Sequence, residues 1–184
     1  MDKSLQKAIA AIKAGNIIAY PTEAVYGLGC DPINQDAVHR LLKIKQRDIS
    51  KGLILIAANF EQLKPFIDDL DKQTQQRVLP SWPGPSTWLL PARPNVPYWL
   101  TGAHKKIAVR ITAHPIAAAL CQILGGALIS TSANPSDLAP ARTRDEVLKY
   151  FDNEVDYIVE GTLGTLESPT EIRDGATGEI IRPG

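Results

Sequence analysis

Long apolar runs are missing from this sequence: no stretch approaches the ~20 residues needed to cross a bilayer, so no membrane span is expected. The start, MDKSLQKAIA, is charged and amphipathic and lacks the apolar h-region of a signal peptide. Cysteine is scarce. Cys30 and Cys121 are the only two, far apart and outside any CxxC pair, which argues against a disulfide framework or a zinc site and fits a cytoplasmic protein with reduced thiols. Both are expected as small buried hydrophobes. Neither sign of charge is in excess: 20 Lys and Arg balance 20 Asp and Glu, and a neutral chain is poorly suited to indiscriminate nucleic-acid binding. His39, His104 and His114 lack metal-ligand spacing and pair with no nucleophile, so they read as helix-surface or turn residues. There is no G-x-x-x-x-G-K-[ST] loop, and Gly27-Leu28-Gly29 lacks the third glycine of a dinucleotide fingerprint. Any nucleotide would be held by dispersed basic and hydroxyl groups. Repeats, low-complexity segments and linkers are absent too, so residues 1–184 read as one domain. At this length folding should bury roughly 70% of the unfolded chain's surface without staples.

What is present is organised around Ile17–Cys30, IIAYPTEAVYGLGC. Ile17, Ile18 and Ala19 suit a strand buried on both faces, and Pro21 ends the run because proline cannot donate to a ladder. Thr22, Glu23 and Tyr26 follow at once, with Gly27 and Gly29 leaving room for a close backbone approach. Ligands of open α/β sheets sit just past the carboxyl ends of strands, so this stretch is either a ligand loop or a turn between two strands. Leu5, Ala8, Ile9 and Ile12 predict a helix stopped at Gly15, and Val38, Leu41 and Leu42 a second over about 35–45. His114-Pro115 opens a third that ends at Gly125-Gly126. Thr143 and Glu146 have capping-box spacing ahead of Val147–Phe151, Asn59 caps a short helix over 60–63, and 71–79 reads as a weaker helix. The continuous apolar run Leu53–Ala58 predicts a central strand, with further strands at 88–90, 107–111, 127–130, 157–159 and 179–182. Strands interleaved with helices predict a single α/β domain, and short strands near both ends predict a mixed sheet.

Several constellations could carry chemistry. Arg40, Lys43, Lys45, Arg47 and Lys51 fall close together with only Asp48 against them. Lys45, Arg47 and Lys51 could neutralise a triphosphate, with Arg adding a bidentate fork; equally, they could be the solvated basic end of a helix. Lys105, Lys106 and Arg110 form a second group, and Arg142 with Arg144 a third. If these groups converge, they make an anion site on a neutral protein. Ser130-Thr131-Ser132-Ala133-Asn134 follows an apolar strand, and its hydroxyls and amide can hold phosphate or carboxylate oxygens or simply form a local turn. Arg110 inside AVRIT is costly without an ion-pair partner or an anionic ligand. Ser168 in ESPTEIRD and Arg182 in IIRPG lie beside prolines, and composition alone makes them surface turns.

YPTEAVYGLG, the run LLKIKQRDISKGLILIA over 41–57, WPGPST, AVRIT, STSANPS and the terminal IIRPG succeed one another as in the YrdC-like family, and the chain resembles the family's short bacterial form over nearly its whole length. The resemblance implies a twisted mixed parallel and antiparallel sheet flanked by helices, with a large concave basic cleft. That fold is shared with a riboflavin-pathway synthase, whose acidic metal site has no counterpart in these motifs. The implied activity is synthesis of L-threonylcarbamoyl-AMP from L-threonine, bicarbonate or CO2 and ATP, with release of pyrophosphate. Mg2+ would accompany ATP, and no metal would be bound by the protein itself. The family's K-x-R motif falls on Lys45 and Arg47, and its S-x-N motif on Ser132 and Asn134. By resemblance, Lys45 and Arg47 are the catalytic pair, and with Lys51, Ser132, Asn134 and Arg182 they bind ATP. Thr22, Arg110, Ser130 and Ser168 would bind threonine, although the chain reads ESPT where members outside the short bacterial group often read EST. The implied partners are enzymes that transfer threonylcarbamoyl to the adenosine next to the anticodon of tRNA, with weak RNA contact. The residues leave one alternative open, an RNA-binding module using the same concave face.

Overall fold

Ten short strands divide between two mixed sheets among residues 3–136 and 138–184, which the computed structural model describes. In chain order they are β1 (Ile18–Pro21), β2 (Tyr26–Gly29), β3 (Ile54–Ala57), β4 (Thr87–Pro91), β5 (Lys106–Ile111), β6 (Leu128–Ile129), β7 (Thr131–Ser132), β8 (Tyr157–Ile158), β9 (Ile172–Asp174) and β10 (Ile180–Arg182). One sheet has the order β7-β2-β1-β8 and the other β10-β9-β4-β5-β3-β6. The helices are α1 (Lys3–Lys13), α2 (Gln35–Ile44), α3 (Lys72–Val78), α4 (Tyr98–Thr101), α5 (Pro115–Leu124) and α6 (Arg144–Phe151). None is long and apolar enough to cross a membrane.

The strand period of two explains the packing. Ile18 and Tyr20 of β1 point into a core shared with Ile9 and Ile12 of α1 and Leu120 and Cys121 of α5, while Ala19 points into the larger core with Leu41 of α2, Leu55 of β3 and Val109 of β5. Both faces of β1 are therefore covered, as its apolar run predicts. Burial pushes the Cys30 and Cys121 thiols up to about 12. The helix signals hold as well. Both halves of the Thr143/Glu146 box form, and Gly125 ends α5 at φ 79°; two caps that the sequence reading did not name join them, Asn34 on α2, accepting from Ala37 N at 3.0 Å, and Asp71 on α3.

The apolar run 53–58 forms β3, paired on both sides by β5 and β6 as a central strand is. Three features differ from the sequence reading. The strands form two sheets, and Ser130 is the single residue between β6 of one and β7 of the other. Tyr26–Gly29 is a strand paired with β1 and β7, even though two of its four residues are glycine. A side chain at Gly29 would begin 2.3 Å from the carbonyl oxygen of Ile129, so this strand can reach the sheet junction only with glycine there. Finally, His114 is not a surface residue: it is buried ahead of α5, with Nε2 3.1 Å from the Thr162 carbonyl and Nδ1 without a partner among the described residues.

Candidate active site

A cavity of about 900 Å³ opens where the two sheets meet. Thr22 reaches it from the β1–β2 turn, Arg47 and Lys51 from the loop after α2, and Lys105, Lys106 and Arg110 from β5 and its approach. Ser130, Thr131 and Ser132 line it at the sheet junction, Ser168 and Thr170 in the segment before β9, and Arg182 on β10. No Asp or Glu is among the lining residues. Of the residues singled out in the sequence, the structure thus brings Thr22, Arg47, Lys51, Arg110, Ser130, Ser132, Ser168 and Arg182 to one cavity. Lys45 and Asn134 stand behind its wall.

Arg110 is 5% exposed, and most of its donors are used. Nη1 donates to Thr170 Oγ1 at 2.5 Å and Thr87 Oγ1 at 3.3 Å, and Nη2 donates to Glu23 Oε2 at 3.3 Å. Its Nε is buried with no partner among the described residues. Glu23 is fixed from the other side by Thr112, whose hydroxyl donates to Oε1 at 2.6 Å and in turn accepts from His114 N at 3.1 Å. Burial pushes the Glu23 carboxyl up, but the Arg110 guanidinium and the Thr112 hydroxyl outweigh it and hold the group below the usual carboxylate value.

Two further arginines approach Arg110. Arg47 donates from Nε and Nη2 to Gly52 O at 3.3 and 3.0 Å, and Arg182 donates from Nη2 to Thr170 O at 2.9 Å. Burial lowers both from the ordinary arginine value, and the charges of Arg47 and Arg110 lower Arg182 further. Thr170 touches two of them at once, Arg110 through its hydroxyl and Arg182 through its carbonyl. Such a cluster is electrostatically incomplete without an anion.

Lys45 is as buried as Arg110, and its ammonium is saturated: Nζ donates to Ser132 O and Asn134 O at 2.6 Å each and to Asn134 Oδ1 at 2.9 Å. Ser132 Oγ donates to the same Oδ1 at 2.6 Å. The K-x-R and S-x-N residues are thus joined, but by tying one loop to the end of α2 rather than by all facing the cavity. The Thr22 hydroxyl donates to Val25 O at 2.6 Å, which leaves its lone pairs as acceptors. Ser168 is exposed and makes no side-chain hydrogen bond among the described residues. Three contributors were not singled out as site residues. Thr170 and Thr112 carry no local signal, and the acidic Glu23 stood in the opening stretch without a role.

Two mixed sheets with a cavity at their junction, lined by Arg47, Arg110 and Arg182, define an α/β domain with an arginine-lined cleft. The chain belongs to the Sua5/YciO/YrdC family: the family model described as Telomere recombination matches residues 10–184. A threonylcarbamoyl-AMP synthase of Cellvibrio japonicus is 51% identical over 172 residues, covering 94% of this chain and 91% of that protein. One of Coxiella burnetii is 50% identical over 180 residues, covering 98% and 97%. Among solved structures, P. abyssi Sua5 complexed with L-threonine aligns with a TM-score of 0.90 at 30% identity over 98% of this chain, which spans 54% of that one. E. coli YciO aligns at 0.85 and 28% identity, over 98% and 88%.

Proposed function

We propose that residues 1–184 act as a single-domain cytoplasmic enzyme that makes L-threonylcarbamoyl-AMP from L-threonine, bicarbonate or CO2 and MgATP. The observation that carries this reading is the convergence of Arg47, Arg110 and Arg182 on one cavity, in a chain about half identical to proteins named for that activity. Threonine's ammonium loses one proton, and the amine adds to the carbon of CO2; a new N–C bond forms as one C=O π pair moves to oxygen, the nitrogen gives up a second proton to solvent, and the carbamate carries the negative charge. A carbamate oxygen then attacks the α-phosphorus of ATP, the bond to the bridging oxygen of the β-phosphate breaks, and pyrophosphate leaves. No covalent enzyme intermediate is required, so the protein acts by positioning and charge stabilisation.

In this scheme Arg47, Lys51 and Arg182 take the triphosphate, and Ser132 orients the nucleotide. Lys45 and Asn134 serve the same end by fixing the loop that carries Ser132. The Arg110 guanidinium takes threonine's carboxylate, while the free lone pairs of Thr22 accept from its amine. Ser130 and Ser168 complete that end. Mg2+ enters with ATP, held by phosphate oxygens. The acyl-adenylate-like product goes to partner enzymes that place threonylcarbamoyl on tRNA next to the anticodon. Pyrophosphate release, measured with threonine or bicarbonate omitted in turn, tests the reading: release should need both. Equal release without threonine would sink it.

A further inference from the structure

We propose that Glu23 makes the Arg110 end of the cavity select a carboxylate over a phosphate, an inference that rests on the reading that threonine's carboxylate meets Arg110. The cavity poses a sorting problem. Six Lys and Arg side chains line it with no acid among them, so charge alone would let phosphate oxygens settle anywhere along it. The three converging arginines are not equivalent, however. Arg47 and Arg182 donate to carbonyl oxygens, of Gly52 and Thr170, and keep their full charge. Arg110 alone of the three has a carboxylate partner among the described residues, Glu23 at 3.3 Å. Glu23 cannot swing away: Thr112 holds its other oxygen at 2.6 Å, and Leu166 N donates to its carbonyl at 3.1 Å.

The consequence follows from Coulomb's law. A fixed negative charge beside Arg110 repels any anion there in proportion to that anion's own charge. A phosphate dianion feels it about twice as strongly as a carboxylate, and a zwitterionic amino acid feels it least. Glu23 therefore leaves Arg110 adequate for threonine and poor for phosphate, while Arg47 and Arg182 stay free for the triphosphate. Because Glu23 does not line the cavity, it acts through Arg110 as a specificity-setting positioning residue.

The experiment is calorimetric titration of threonine into the ATP-free protein at rising inorganic phosphate. In the wild type, threonine affinity should be nearly independent of phosphate, although phosphate weakens ATP binding. In Glu23→Gln, phosphate should compete with threonine at least tenfold more strongly, a gain of anion binding that structural damage does not produce. Glu23→Asp, which keeps the charge, should restore the wild-type indifference. An unchanged phosphate response in a folded Glu23→Gln that still binds threonine would overturn the inference. So would competition by phosphate against threonine in the wild type, a measurement that decides the matter even if Glu23→Gln does not fold. A wild type that binds no threonine at all would instead remove the reading beneath it.

Discussion

All three protons of the Lys45 ammonium go to oxygens of the 132–134 loop, so the residue supports a cavity wall it does not form. Lys45→Ala leaves three acceptors short of a donor and should lower stability by about 1–3 kcal/mol. With the loop loosened, kcat/KM should fall roughly ten- to a few-hundredfold, ATP affinity with it, and threonine affinity little. Thermal melts beside ligand titrations test this; lost ATP binding at unchanged stability would mean that Lys45 touches ATP directly. Burial, with Arg47 adding its charge, pushes Lys45 down to about 8. Above that pH the neutral amine has two protons for three acceptors, so ATP affinity should weaken between about pH 7 and 9. Fold stability moves the other way. Between about 8 and the ordinary value of 10.5, the unfolded chain binds a proton that the folded chain does not, so this group's contribution to stability rises with pH. Lys45→Arg, charged throughout, should flatten the ATP-binding profile. At Thr22, valine keeps the shape but deletes both the bond to Val25 and the lone pairs facing the cavity. Threonine KM should rise about five- to tenfold, corresponding to a neutral hydrogen bond near 1 kcal/mol, with ATP affinity unchanged. Equal loss of both ligands would contradict that division.

The joint between β6 and β7 is one residue long, and Gly29 lies against it. Gly29→Ala puts a methyl 2.3 Å from the Ile129 oxygen, on a carbonyl that also accepts the Tyr20 hydroxyl at 3.1 Å. The two sheets must separate to admit it, at a cost of about 1–3 kcal/mol or more, and denaturant melts should show a lowered midpoint. Where an element's pattern is local it was legible in the sequence: the capping box of α6, the glycine stop of α5, the apolar runs of β1 and β3. Tyr26–Gly29 and Ile172–Asp174 were not, because glycine-rich or charged segments become strands only through partners far along the chain, Ser132 for Gly27 and Thr87 for Ile172. The site divides in the same way. Residue types announced basic groups able to converge, and Arg47, Lys51, Arg110 and Arg182 do line one cavity, but Lys45, two positions from Arg47, ends behind its wall. The Glu23–Arg110 pair joins residues 87 apart, which no spacing rule anticipates.

Taken whole, the chain carries no net charge yet gathers six Lys and Arg side chains around one cavity, so ligands should govern its behaviour more than overall charge does. MgATP at about a hundred times its Kd adds ~2.7 kcal/mol of stability. For a chain of this size that should raise Tm by about 5–10 °C, and no shift at saturating MgATP would count against the ATP site. Affinity for bulk tRNA should be weak and fall steeply with salt. Submicromolar binding that persists at physiological salt would favour an RNA-binding role instead. The strand order also fixes when the chain can fold. β1, among the first segments made, gains its parallel neighbour only with Tyr157 and Ile158, and β4 only with Ile172–Asp174. A chain still emerging from the ribosome therefore carries both sheets with an open side until nearly its last residues are synthesised. Such late closure favours millisecond-to-second folding after release, and a window in which the exposed strand edges depend on chaperones.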